Sequence, residues 1–588
     1  DAGSVLERKS ERGLAHFVEH MAFNGTESYD ENSIVDYLER IGMSFGPDVN
    51  AYTSFDETVY SLDLPTEKPA TVEKGFDILE EWAFRIAFST DEVEKERGVI
   101  VEEWRSGRGA SARLRDEWWP VLAEGSRYAK RLPIGSMEIV RNAPPSRLEG
   151  FYERWYRPEL MAVVVVGDME PERAVGLIEA KFGDGKNGED GLPYRKDGPE
   201  RPSFSVPTPE ERRVVVATDP EASNIRVRLF GLHPPFVPRT EEEYRRSLSL
   251  NLYRSMVTTR LNELTEQEDP PFINGYFSRG ALVRSKDASV WAATAYEGEV
   301  GEALRTIAEE ARRVELFGFT GQELKRAKAD LRRSVERAYN ERSKTNSSRF
   351  VSEFVRHYLT GETGPGIERE WEMLRRMLPQ ITLETMEQIH DTYIRTEHRV
   401  VTVTGPEKEN LSYPSEERIG EILDEVEKRK LSPYSDDFEG TSLIGEKPEA
   451  GSIVSEELIH GERSEEGAYT RLKLSNGATV IFKNTELKND QILFSAFSEG
   501  GSSLVETEDY YTARLAPNLV GACGLGDFTP VQLDKLLSGT RAQVSPNIGR
   551  HSEGFSGNAA PEDFELLFQQ LYLYHSDLNR DRALFESY

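Results

Sequence analysis

The residues best suited to chemistry lie in "GLAHFVEHMAFNGT", residues 13–26. Two of the chain's nine histidines, His16 and His20, stand four residues apart there, with Glu19 between them. On an α-helix, positions i and i+4 share a face and i+3 lies beside them. His16 and His20 are therefore placed to converge on one ion, with Glu19 offset enough to hold a water. The order H-x-x-E-H inverts the commoner H-E-x-x-H and is the inverzincin signature. The residues alone leave a second reading open: a buried helix whose histidines are satisfied within the core.

A catalytic zinc keeps one position open and takes a third ligand from the protein. That ligand has to come from another helix, and "EKERGVIVEEWRSG", residues 94–107, offers one. Glu96, Ile100 and Glu103 recur at i, i+4 and i+7, which puts both acids on one face beside an isoleucine. Carboxylates on a partly apolar face are costly unless paired or metal-bound. On composition alone, Glu102 competes with Glu103 for the role.

The elements that must hold these residues can be read from spacing. Apolar periodicity predicts helices over 9–22, 32–41, 71–88, 91–105 and 144–156. Asn32 or Ser33 is the expected N-cap of the second helix, and Ser89-Thr90 of the fourth. "VNAYTSFDETVYSLDLP", residues 49–65, alternates and reads as strand, turn, strand. "LMAVVVVGDM" reads as a buried strand, followed by a helix over 170–182. Residues 183–209 are dense in Gly, Pro and charge and read as a linker. A second block opens with a strand over 212–218, continues with helices over 241–265, 299–317 and 321–339, and closes with a strand near 400–404. A polar stretch over about 410–466 carries some helix at 415–430. The layout is α+β: sheets with helices packed on them.

An internal echo follows. "EGGSSLVETEDYYTARLAPNLVGACG", from Glu499, overlies "DAGSVLERKSERGLAHFVEHMAFNG". The order of turn, helix, hairpin and long helix then repeats. Arg514 falls opposite His16, Pro517 opposite Glu19 and Asn518 opposite His20. The second copy keeps the scaffold without the polar triad, so the fold does not require the triad.

Composition narrows the function classes. With 588 residues the chain is too long for one core and is expected to hold several domains. Against 73 Lys+Arg stand 104 Asp+Glu, a formal charge of -31 that repels nucleic acid and anionic lipid. Cys523 is the only cysteine, which excludes an internal disulfide framework and a cysteine-based zinc cluster. No apolar run approaches the roughly eighteen residues of a membrane span.

The chain resembles the insulinase/pitrilysin family of zinc metallopeptidases, which includes the mitochondrial processing peptidase, and within it the PqqL-type branch. The resemblance rests on "GLAHFVEHMAFNGT", "DVNAYTSFDETVYSLDLP", "ERGVIVEEWR", "FYERWYRPELMAVVVVGDM" and "LKLSNGATVIFKN". It implies that His16, His20 and Glu103 bind one zinc ion and that Glu19 is the general base acting on a zinc-activated water. It makes Glu96 an acid supporting the zinc site, and Asn50, Ala51 and Thr53 an edge strand that pairs with substrate. The implied fold is a set of repeated α+β domains in two halves that close like a clam around a chamber. In those terms, 1–200 is a catalytic domain lacking its first strand and 201–410 a second homologous domain. Residues 411–466 are a hinge, and 467–588 a non-catalytic third domain cut short. The expected activity is endopeptidase cleavage of peptides or unfolded segments, in the periplasm or outside the cell. A missing C-terminal half or a partner subunit is expected to close the chamber. A non-catalytic homologue serving as a structural partner is the alternative, and such members usually lose ligands that are all present here.

Overall fold

The N-terminal helix expected over 9–22 is broken in two. In the computed structural model, which describes residues 1–30, 33–183, 198–394, 399–436, 438, 440, 442–460, 468–580, 582 and 585, a 3-10 turn spans Lys9–Glu11 and helix α1 runs Leu14–Asn24. The break is at Gly13, whose φ of 100° suits glycine and strains any other residue. Gly135 crosses it so closely that a Cβ on Gly135 would lie 2.2 Å from the Gly13 Cα.

The first block continues with α2 (Ser33–Arg40), β1 (Val49–Thr53), β2 (Thr58–Leu62), α3 (Pro69–Phe84), α4 (Thr90–Ser106), α5 (Ala110–Leu122), α6 (Met137–Asn142), α7 (Pro145–Trp155) and α8 (Pro171–Phe182). Ser89 caps α4 as expected, its hydroxyl accepting the Glu92 N–H at 3.3 Å. The Asn32 cap falls outside the described residues. Leu14, Phe17, Val18 and Met21 form the apolar stripe of α1 and are fully buried against Ile78, Trp82, Ile100 and Phe151. That stripe leaves His16, Glu19 and His20 on the opposite side.

The run "MAVVVVG" is not a strand. Residues 161–166 form no helix and belong to no ladder, and the four valines are half-buried. An apolar run becomes a strand only where a neighbour offers N–H and C=O groups in register. Among the described residues none does so here, and the one sheet of this block is the antiparallel pair β1–β2.

The second block comprises β3 (Arg213–Asp219), β4 (Ile225–His233), α9 (Glu241–Thr265), β5 (Asn274–Val283), β6 (Lys286–Ala295), α10 (Val300–Phe317), α11 (Gly321–Asn340), α12 (Ser347–Thr360), α13 (Ile367–Met377), α14 (Leu383–Ile389) and β7 (Val400–Pro406). Its sheet has the order β3-β7-β4-β6-β5, parallel only between β3 and β7. Helix α15 (Glu416–Lys428) returns to this block and buries Ile419, Ile422 and Val426 in its core. The sheet also meets the first block. Trp118 of α5 stacks on Phe230 at 5.9 Å, and Arg113 forks onto both carboxylate oxygens of Asp219 at 2.5 and 2.7 Å.

The last block holds β8 (Ile453–Ile459), β9 (Tyr469–Leu474), β10 (Thr479–Phe482), β11 (Ile492–Glu499), α16 (Tyr510–Ala522), α17 (Pro530–Leu537), β12 (Ala542–Ile548), β13 (Ser552–Ala559) and α18 (Phe564–Ser576). Strand β8 lies inside the stretch read as a hinge and pairs with β9. From α16 to α18 the order helix, helix, hairpin, helix repeats that of α1, α2, β1–β2 and α3. The whole is an α+β fold with antiparallel-rich sheets.

Candidate metal centre

Two helices and a hairpin build the site. Helix α4 is clamped in place by Arg97, whose guanidinium donates to the carbonyls of Val140 and Ala143 at the C-terminal end of α6. Cations suit the carbonyl-rich end of a helix. With α4 fixed, Glu96 and Glu103 face His20 of α1. The His16 and His20 Nε2 atoms lie 3.3 Å apart, and Glu103 Oε2 is 3.2 Å from His20 Nε2 and 3.7 Å from His16 Nε2. Ligands at about 2.0–2.1 Å from a tetrahedral ion stand about 3.3–3.4 Å apart, so the three atoms are spaced to share one. They form the one cluster of three metal-ligand groups among the described residues. Glu102 points elsewhere, pairing with Arg105 at 2.7 Å on the surface.

The partners of these groups select the donor atoms. Glu96 Oε1 is 2.6 Å from His20 Nδ1, and Asn24 donates to Glu96 Oε2 at 2.5 Å. A carboxylate on Nδ1 holds the proton there and leaves the Nε2 lone pair facing the cluster. His16 Nδ1 is buried and without a hydrogen-bond partner among the described residues. Three electron-rich atoms thus converge on one point, an arrangement that calls for a cation. Without an ion, a proton on His20 Nε2, donated toward Glu103, takes the place of that cation. Burial, with His20 beside it, pushes His16 down to about 4. Burial opposes charge on His20 too, but hydrogen bonds to Glu103 and Glu96 outweigh it and lift His20 to about 9. The hydrogen bond to His20 holds Glu103 below the usual carboxylate range. Glu96 resists burial in the same way, through its bonds to His20 and Asn24.

Glu19 is buried, and burial raises its carboxyl, while a hydrogen bond from Thr53 works the other way. The Thr53 hydroxyl is 2.5 Å from Glu19 Oε2. Of the three hairpin residues expected to pair with substrate, Thr53 thus engages its hydroxyl within the protein. The Asn50 side chain accepts from the Ala51 N–H at 2.9 Å. Strand β1 pairs with β2 along one edge, and with the cluster it borders a cleft of about 690 Å³ lined by His16, Glu19, His20, Asn50, Thr53 and Glu103. The hairpin tip is anchored: buried Asp56 accepts from Tyr128 at 3.1 Å and from Arg201 at 3.2 Å, and Arg284 of the second block pairs with Glu57 at 3.0 Å. A larger cavity of about 820 Å³ lies between α11 and α17 and holds none of this cluster.

Sequence reasoning missed Asn24 and Glu7. Asn24 had a signal, since it follows His20 at i+4 on the same helix face. Glu7 had none. It is fully buried, and its Oε1 accepts the N–H groups of Gly13 and Ala15, both at 2.9 Å, at the start of α1.

Fold and site together define an α+β protein with a two-histidine, one-carboxylate cluster in an open cleft. The family model of the insulinase domain (peptidase family M16) matches residues 1–111, and that of the peptidase M16 inactive domain matches 143–331, together just over half of the chain. The chain belongs to the insulinase family of peptidases. It is 31% identical over 566 residues to the zinc protease PQQL-like of Arabidopsis thaliana, covering 96% of this chain and 54% of that one. It is 26% identical to the probable zinc protease PqqL of Haemophilus influenzae, covering 96% of this chain and 60% of that one. The crystal structure of the periplasmic protease PqqL from Escherichia coli superposes with a TM-score of 0.68 at 25% identity, covering 100% of this chain and 63% of that one. Pitrilysin shares the fold, at a TM-score of 0.59 and 16% identity, over 100% of this chain and 60% of its own. The chain thus spans about half to three fifths of the length of these relatives.

Proposed function

We propose that this chain carries the catalytic centre of a zinc-dependent endopeptidase that hydrolyses peptides or unfolded protein segments. The observation that carries the reading is the convergence of His16 Nε2, His20 Nε2 and Glu103 Oε2 within 3.2–3.7 Å of one another. These three side chains would hold one zinc ion. When bound, zinc supplies a Lewis acid that polarises a peptide carbonyl and makes water a stronger acid.

Glu19 is the general base in this proposal. Thr53 occupies its Oε2, which leaves Oε1 to take a proton from water and return it to the leaving amine. A carboxyl raised by burial suits a group that must hold a proton for part of the cycle. The edge of β1 at Asn50, Ala51 and Thr53, which pairs with no further strand among the described residues, is assigned to the substrate backbone, which would add to it as an extended strand. That mode needs an unfolded stretch of substrate, hence the substrate class. A second half, on the same polypeptide or on a partner subunit, is proposed to close over the cleft, in keeping with the two-half architecture of the relatives. A periplasmic or secreted location is proposed from the Escherichia coli relative, which is described as periplasmic. Among the described residues no helix is long and apolar enough to cross a membrane.

Metal analysis of the mildly purified full-length protein tests the reading, with about one zinc per chain expected. A protein that carries no zinc and takes up none would sink it.

A further inference from the structure

Helix α1 begins without a side-chain cap. Its N-cap is Gly13, which has no side chain to offer. Nor can a capping residue replace it easily, because a Cβ at Gly13 would lie 2.9 Å from the Val140 side chain and 3.2 Å from the Ile134 carbonyl. The first N–H groups of a helix still need acceptors when buried. Glu7 supplies one from six residues upstream, with a single carboxylate oxygen receiving both the Gly13 and the Ala15 N–H at 2.9 Å. The residue itself is locked, since its own carbonyl accepts from the Arg127 and Arg131 guanidinium groups. Its second carboxylate oxygen is buried and has no partner among the described residues. Burying a carboxyl this deeply is costly, so the contact is not a by-product of surface composition.

We infer that Glu7 is a positioning residue for the metal centre: its carboxyl group replaces the missing N-cap and sets the rotation of the turn that carries His16, Glu19 and His20. The inference rests on the zinc reading above. Ala15 directly precedes His16, so the grip on the Ala15 N–H fixes the backbone one residue from the first proposed ligand. Each residue advances a helix by about 100°, so a small slip at this end swings both Nε2 atoms off the point they share with Glu103. Groups that bind a metal have to be held within about 0.5 Å of the working geometry by their support.

The test uses the full-length protein and reads zinc affinity by chelator competition beside thermal melting and peptide kinetics. Glu7→Gln keeps an acceptor oxygen at the same reach and is expected to bind zinc within about threefold of the wild type, while Glu7→Leu, of similar size with no acceptor, is expected to weaken zinc about 10-fold or more. The loss in the Leu variant should fall on kcat with little change in KM. A Leu variant that melts lower yet binds zinc as the wild type does would show a purely structural cap and overturn the assignment. If the Leu variant does not fold, Glu7→Asp asks the same question by withdrawing the carboxylate one methylene. Weakened zinc binding is expected there, and unchanged binding overturns the inference. A wild-type protein that binds no zinc would overturn the metal reading and this inference with it. Unaltered zinc binding in the Leu and Asp variants overturns this inference alone.

Discussion

The Thr53 hydroxyl donates to Glu19 Oε2 at 2.5 Å, so the strand that borders the cleft also aims the carboxylate proposed as its base. Asp56, three residues on, is held by Tyr128 and Arg201, and this anchors the turn that keeps Thr53 in place. Thr53→Val keeps the shape and removes the donor. Peptide cleavage should fall about 10-fold, the value of one charge-assisted hydrogen bond of roughly 1.5 kcal/mol. Zinc content should not change, and Thr53→Ser should recover most of the rate. Steady-state kinetics with metal analysis on the same samples check this. A Val variant of full activity would return Thr53 to a plain strand position.

Glu96 touches His20, and Asn24 touches Glu96, so in the proposed site both would act on the metal through His20. Glu96→Gln removes the charge that orients the His20 ring and should lower zinc affinity by about 10–100-fold. Asn24→Ala, which only loosens Glu96, should cost less. Chelator titrations rank the two, and a larger loss for Asn24→Ala would mean that Glu96 is not the group holding the ring.

The neighbouring acids Glu102 and Glu103 separate in space. Glu103 joins both histidines, whereas Glu102 pairs with Arg105 at the surface. Glu103→Gln should therefore lose zinc under dialysis that leaves Glu102→Gln loaded. The reverse order would shift the proposed ligand by one residue.

Glu7 gives a pH dependence in stability. Burial lifts its carboxyl from 4.5 in the unfolded chain to about 8 in the fold, against the pull of the Ala15 and Gly13 N–H groups. A folded-state value raised in this way means that the native protein holds a proton the unfolded chain releases. The stabilising contribution is therefore complete below about pH 4.5 and is lost as pH rises through about 8. Glu7→Gln cannot ionise. Its melting temperature should gain on that of the wild type as pH climbs across this window, and a constant gap would contradict the burial argument.

Much of this architecture was legible in the sequence because it is local. The helix α9 boundaries follow from periodicity and the Thr240 capping box, and the β1–β2 hairpin from alternation. Helical spacing put His16 with His20 and Glu96 with Glu103 on one face each, while the choice of Glu103 over Glu102 rested on the family resemblance. What could not be read depends on distant partners. "MAVVVVG" has strand composition, but strand formation is a pairing event and composition carries no partner. The break at Gly13 comes from the close crossing of Gly135, more than a hundred residues on. Thr53 was expected to serve the substrate through its main chain. The contact of its hydroxyl with Glu19, made between elements thirty-four residues apart, is a separate one that spacing does not show.

The most direct measurement is the peptide-hydrolysis rate of full-length Glu19→Gln, compared with the wild type at equal zinc content. A loss of about 10²–10⁴-fold is expected, the usual contribution of a positioned general base, with zinc retained. Equal turnover by the two zinc-loaded proteins would remove Glu19 as the base and contradict the proposed function of the cleft.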